Sequence, residues 1–367
     1  NLWYSYSPRI LIMVNEVVDR ARVFATDPHA DQRLINALAE FGLHQAAPKP
    51  SVSPDASSDE RLAWISQAEQ GFEALFTKQA EGLEPIEGVE RESVEIAGYD
   101  GNRIRLQIHY PTHRAEDLPA VLHIHGGGMT MLSTFNPTYV YFRDALASKG
   151  LVVVGVEFRN AGGALGPHPF PAGINDVHCA LTWVRSKRDE IGFKSITLVG
   201  ESGGAHLSIS CSLRCVSDGQ LDCIDGVYAM CPMLFDPRKA YPESLASHEE
   251  NANYFIDQVT LQICANAYDP GGAESENPLC WPMQAQKDLL KALPRHLISV
   301  NELDPLRDEG LEFYQSLRAA GVECDFRVVS GTCHSGDCNF PNVVGDLFWE
   351  TVNDIARFTS SHRGQPA

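Results

Sequence analysis

The chain has no Cys-x-x-Cys pair among its ten cysteines. It has no apolar run near the roughly 18 residues that span a bilayer, and little positive charge to set against its negative charge. Each absence narrows the reading. Without cysteines at ligand spacing, neither a zinc site nor a disulfide framework is indicated, and Cys211 and Cys215 stand at helical spacing instead. Most of the thiols are expected to be reduced, buried and small, as in a cytoplasmic protein. Cys333 and Cys338 are set apart because they flank a short loop. The opening NLWYSYSPRILIMVNEVVDRAR has too short an apolar core for a secretory signal. A formal net charge of −19, from 48 acidic and 29 basic side chains, repels phosphate backbones and anionic lipid. Nucleic acid and stable membrane insertion are therefore not expected. A homodimer is left open.

What is present is a change of period along the chain. Its 367 residues exceed what one simple core needs, so a large domain with an appendage is expected. Up to about residue 88 the pattern is helical. Ile10, Leu11, Val14, Val17, Val18 and Ala21 recur at three- and four-residue steps, and Leu34, Ile35, Leu38 and Phe41 form a second stripe closed by Gly42. The Pro/Ser-rich APKPSVSPDASSDE, with little to bury, leads to a third stripe of Leu62, Ile65, Phe72 and Leu75. This segment, 1–88, is expected to form a helical cap.

From 89 to 367 the pattern is that of a catalytic α/β domain. ESVEIAGYDGNRIRLQIHY alternates around Asp-Gly, as a hairpin does. Then the continuous apolar runs AVLHIHG, LVVVGVEFRN, ITLVGES, DGVYAMCPM, HLISVNELD and DFRVVSG alternate with helical patterns. Such strands belong to a mostly parallel central sheet flanked by helices on both faces, the α/β-hydrolase order. About 60 residues separate CPM from the strand near 296, so a second cap insertion is expected over about 235–285.

GESGG, residues 200–204, matches G-x-S-x-G. Alone it is weak, since average composition produces it in roughly one chain in eight of this length. Its context is a buried strand before and a helix after, the sharp turn that lifts a serine hydroxyl clear of a sheet. Ser202 needs a base, and a base needs an orienting acid. In this core the order is Ser, acid, His. Only His334 and His362 come late enough, and His334, in GTCHSG after a strand, is the one a loop can deliver. His206, one helical turn after Ser202, is read as packing. Among the acids of VNELDPLRDEG, Asp304 falls at the strand end; Asp308 and Glu309 would lie within the next helix as surface capping groups, and Glu302 would point elsewhere.

The run Gly126–Gly127–Gly128 in HIHGGGMTML then has a use. Attack on a carbonyl creates an oxyanion, and backbone N–H groups turned inward stabilise it by about 2.7–4 kcal/mol per donor. One such donor follows the serine, at Gly203, and another comes from the loop after AVLHIHG. No Lys-Ser/Thr follows the glycines and G-x-G-x-x-G is absent, which argues against a phosphate cradle. Gly126 is read as serving the turn, and a bulky residue at Gly127 is expected to depress acylation much more than folding.

HGGGM, GESGG, DPLRDEG and CHSG, in this order and over roughly residues 85–360, resemble the hormone-sensitive-lipase branch of the α/β-hydrolases. The resemblance implies a triad of Ser202, Asp304 and His334, oxyanion donors at Gly127, Gly128 and Gly203, no cofactor or metal, and a capped pocket. It implies a serine carboxylesterase acting on a small-molecule ester of short to medium acyl chain. A lactonase is the neighbouring alternative. A non-catalytic receptor, like the gibberellin receptors of the same branch, is disfavoured by the presence of His334. Most of the branch has Asp-Ser-Ala or Thr-Ser-Ala in the serine motif, where this chain has Glu201 and Gly203, and the contact made by Glu201 is open.

Overall fold

The computed structural model describes residues 23–361 apart from position 116. The expected stripe from Ile10 to Ala21 and His362 lie outside the described residues. Eight strands form one sheet: β1 (Val89–Ala97), β2 (Arg103–Pro111), β3 (Leu118–Ile124), β4 (Val152–Glu157), β5 (Phe193–Glu201), β6 (Gly226–Met230), β7 (His296–Asn301) and β8 (Cys324–Val329), ordered β1-β2-β4-β3-β5-β6-β7-β8. The β1–β2 hairpin turns at Asp100-Gly101, and β2 pairs antiparallel with β4. All later pairings are parallel.

The helices are α1 (Gln32–Ala39), α2 (Ser58–Ala80), α3 (Pro137–Ala147), α4 (Ala172–Ser186), α5 (Arg188–Ile191), α6 (Gly203–Ser217), α7 (Ser247–Glu250), α8 (Gln258–Tyr268), α9 (Lys287–Leu290), α10 (Arg307–Ala319) and α11 (Gly345–Ser360). Strand alternation divides the core between two faces. Val121, Val153 and Val199 pack with Phe142 of α3 and Phe348 and Val352 of α11, while Ala120, Leu122 and Leu198 pack with Val177 of α4, Leu207 of α6 and Phe313 of α10. Both faces of β3 to β7 are covered, which is why these strands read as unbroken apolar runs.

The N-terminal helices have local causes. Asp31 caps α1 by accepting the Arg33 N–H at 2.8 Å. Ser57 and Glu60, at the end of the Pro/Ser-rich connector, form a reciprocal capping box that starts α2. The connector buries more than its composition suggested. Ala47 is buried and donates its N–H to Asn253 O at 2.7 Å, so the segment is pinned to the β6–β7 connection. Helix α2 in turn packs on α3 and α8.

Candidate active site

The parallel register brings the chemistry to one end of the sheet. Ile124 pairs with Gly200, Glu201 with Met230, and Asn301 with Val329, so the segments after β3, β5, β6, β7 and β8 leave the same edge side by side. This is the carboxyl end of the strands, where open α/β sheets hold their ligands.

Ser202 occupies the turn between β5 and α6 at φ 55°, ψ −122°. A non-glycine residue in this region stores about 1–3 kcal/mol, which only a well-packed turn sustains. His334 comes from the loop after β8. Its Nδ1 lies 2.8 Å from Asp304 Oδ2, and Asp304 Oδ1 accepts the Leu306 N–H at 2.9 Å. Asp304 is fully buried. Helix α10 begins at Arg307, so Pro305 precedes its first turn and does not occupy it. Burial works against charge on His334, but the Asp304 carboxylate outweighs it and holds the imidazole above its ordinary 6.5. Ser202 and His334 line one cavity, together with all three glycines of the run.

The glycines divide their labour. Gly126 donates its N–H to Glu201 Oε1 at 2.6 Å and has none left for a ligand. Gly127 and Gly128 donate to no acceptor among the described residues, and Gly203 opens α6, where the first N–H groups have no partner within the helix. Gly127 is at φ 95°, and a Cβ there would stand 2.2 Å from Met131 O. A bulky residue at Gly127 would therefore displace the loop itself, so a change there does not separate acylation from loop strain.

Glu201 thus has its contact. Beyond Gly126, its Oε2 lies 3.4 Å from His123 Nε2. The Tyr139 phenol, kept neutral by burial and by the Glu201 charge, lies beside it. Gly203 has a steric reason. A Cβ there would fall 2.6 Å from Met129 N and 2.8 Å from Gly128 N, so this close approach of the glycine loop leaves no room for the alanine common in the branch. The adjacent position to the serine flagged Glu201 in the sequence; a partner 75 residues away did not show.

The remaining groups are placed as follows. His206 is buried, donates Nδ1–H to Met233 O at 2.7 Å, meets Tyr268 and Trp281 edge-on, and is depressed to about 4 by burial. Glu302 accepts the Gly331 N–H and pairs with His29. Asp308 and Glu309 are not surface groups: both are buried, Asp308 accepting the Ser247 N–H and Glu309 those of Leu234 and Phe235. They anchor the β6–β7 connection to α10. All ten cysteines are free and buried, Cys333 and Cys338 included. Cys231, Asp304 and His334 hold donor atoms within 4.8 Å of one another, the only such group among the described residues. The donors fit a resident ion poorly, because His334 Nδ1 and Asp304 are engaged with each other and burial keeps the Cys231 thiol protonated.

The α/β hydrolase fold family matches residues 121–336, which hold the glycine run, Ser202, Asp304 and His334. The chain belongs to the α/β-hydrolase fold family. The hydrolase is 38% identical to brefeldin A esterase, described as a bacterial homologue of human hormone-sensitive lipase, with a TM-score of 0.89 over 94% of this chain and 97% of that one. It is also 31% identical over 255 residues to carboxylesterase NlhH of Mycobacterium tuberculosis, 67% of this chain and 75% of the relative. These likenesses place the hydrolase with the hormone-sensitive-lipase homologues. Among the described residues no helix is long and apolar enough to cross a membrane.

Proposed function

We propose that the hydrolase is a serine carboxylesterase working through an acyl-enzyme. The observation that carries this reading is the 2.8 Å contact between His334 Nδ1 and the buried Asp304, with His334 lining the same cavity as Ser202. With Nδ1 engaged, Nε2 is the nitrogen left to take the Ser202 proton as Oγ attacks the ester carbonyl. Asp304 fixes that tautomer and stabilises the imidazolium. Gly127, Gly128 and Gly203 N–H groups receive the oxyanion. The imidazolium then protonates the leaving alcohol, and water, deprotonated by His334, releases the acid.

The space shapes the substrate. The cavity at Ser202 has a volume of about 70 Å³. A larger one of about 420 Å³, walled by Phe41, Trp64, Leu75 and Phe255, shares Phe72, Ile256 and Thr260 with it. We assign a short acyl group to the small space and a bulky apolar alcohol portion to the large one. Within the described residues, 23–88 and the 235–285 insertion act together as the cap, since α2 and α8 supply walls of both spaces. A lactone whose ring fills the large space is the second reading its volume supports. The test is Ser202→Ala against a panel of p-nitrophenyl esters of graded acyl length plus a macrocyclic lactone. Turnover by the parent chain, strongest at short acyl length and lost in the variant, is expected; undiminished turnover in Ser202→Ala contradicts the assignment.

A further inference from the structure

Helix α2 carries one acid that does not face solvent. Glu69 is 4% exposed, and each of its carboxylate oxygens accepts a backbone N–H from a different loop of the catalytic half. Oε1 accepts from Leu132 at 2.7 Å and Oε2 from Ala164 at 2.7 Å. These loops follow β3 and β4, and they are zipped together at the same place. Ala161 N–H donates to Met129 O at 2.9 Å, Gly162 N–H to Thr130 O at 3.0 Å, and Asn160 Nδ2 to Leu132 O at 2.7 Å.

The loop so held is under strain. Met129 and Leu132 sit at φ 60° and 78°, left-handed conformations that side chains with a Cβ rarely adopt. Such strain persists only where the surroundings over-determine it. Residues 126–132 therefore run between two buried carboxylates, Glu201 at Gly126 and Glu69 at Leu132, with the free N–H groups of Gly127 and Gly128 between them.

We infer that Glu69 is a positioning residue for the oxyanion loop, so that the N-terminal segment takes part in transition-state stabilisation as well as in walling the pocket. This rests on the esterase reading above. Substrate in its ground state does not use the oxyanion donors fully, whereas the tetrahedral intermediate does. A misplaced loop must then lower kcat more than it raises KM.

Glu69→Gln tests this. One Gln oxygen can still accept an N–H, but its NH₂ faces the other donor. We expect kcat on a short p-nitrophenyl ester to fall at least about tenfold while KM changes by less than about threefold. Affinity for a trifluoromethyl ketone, which adds to the serine to form a hemiketal oxyanion, should weaken in parallel with kcat. Glu73→Gln, one turn further along α2, should leave all three values as in the parent. A kcat within about twofold of the parent, or a fall in kcat with unchanged ketone affinity, overturns the inference. If the parent chain hydrolyses no ester, the esterase reading fails as well; if the parent is active and Glu69→Gln equals it, only this inference does. Should Glu69→Gln not fold, amide exchange on the parent reads the same contact. The Leu132 N–H should exchange slowly and more slowly still with the ketone bound; fast exchange in both states overturns the role.

Discussion

Gly203→Ala separates catalytic geometry from folding better than any change at Gly127. Position 203 opens α6 with no positive φ, so alanine fits its backbone, and helix propensity favours Ala over Gly by up to about 1 kcal/mol. What alanine lacks is space. Its Cβ would stand 2.6 Å from Met129 N, 2.8 Å from Gly128 N and 2.9 Å from Gly128 Cα, all backbone atoms that no rotamer change can clear. The glycine loop must retreat by several tenths of an ångström, away from the point where Gly128 and Gly203 N–H groups converge. Loss of one oxyanion donor costs about 10²–10³ in rate, and a misplacement near 1 Å about 10². We therefore predict a fall in kcat of about 10²-fold, or about 2.7 kcal/mol at 1.36 kcal/mol per decade, with a thermal midpoint within a few degrees of the parent. The assay is steady-state hydrolysis of a short p-nitrophenyl ester beside a calorimetric scan. A folded Gly203→Ala with kcat within threefold of the parent would refute the reasoning, because it would mean the loop is not held at the distance described.

Other consequences can be checked in the same way. His334 must be neutral to take the serine proton, and its pKa is raised, so kcat/KM should fall as pH drops through a value above 6.5; in Asp304→Asn the limb should move to lower pH on a rate reduced about 10⁴-fold. Buried His125, at about 3, and His109, His206 and His296, at about 4, remain neutral there, so a rate profile without an acid limb would count against His334. The same four depressed histidines bind more protons unfolded than folded below pH 6.5, so the thermal midpoint should decline as pH falls from 6.5 towards 4, and a flat midpoint over that window would contradict their burial as neutral groups. Phe72 stands between the two cavities, so Phe72→Ala should raise kcat/KM for longer acyl esters relative to acetate by about tenfold, with an unchanged ratio as the contrary result.

The features legible in the sequence share a physical cause: they are local or ordered along the chain. Strands β3 to β7 showed as apolar runs because both of their faces are covered, and Ser202, Asp304 and His334 showed because parallel topology delivers strand ends in chain order. Helix α11 went unread although Phe348, Val352, Ile355 and Phe358 stand at helical steps, so that signal was there to use. The carboxylates were not legible in the same way. Glu69, Asp308 and Glu309 look like solvated charge in sequence, Glu201 stands out only by its place beside the serine, and tertiary packing alone aims the four at backbone N–H groups 61 to 95 residues away. The close approach that demands Gly203 is equally a product of the β3–β5 pairing.

The central claim is that Ser202 is acylated. Mixing the parent chain with a short p-nitrophenyl ester, quenching in acid before the acyl-enzyme turns over and digesting the protein for mass spectrometry tests this directly. The account predicts one acyl group on the peptide carrying Ser202, absent from the Ser202→Ala variant. An acyl group on any other residue in place of Ser202, or equal labelling of Ser202→Ala, would contradict it.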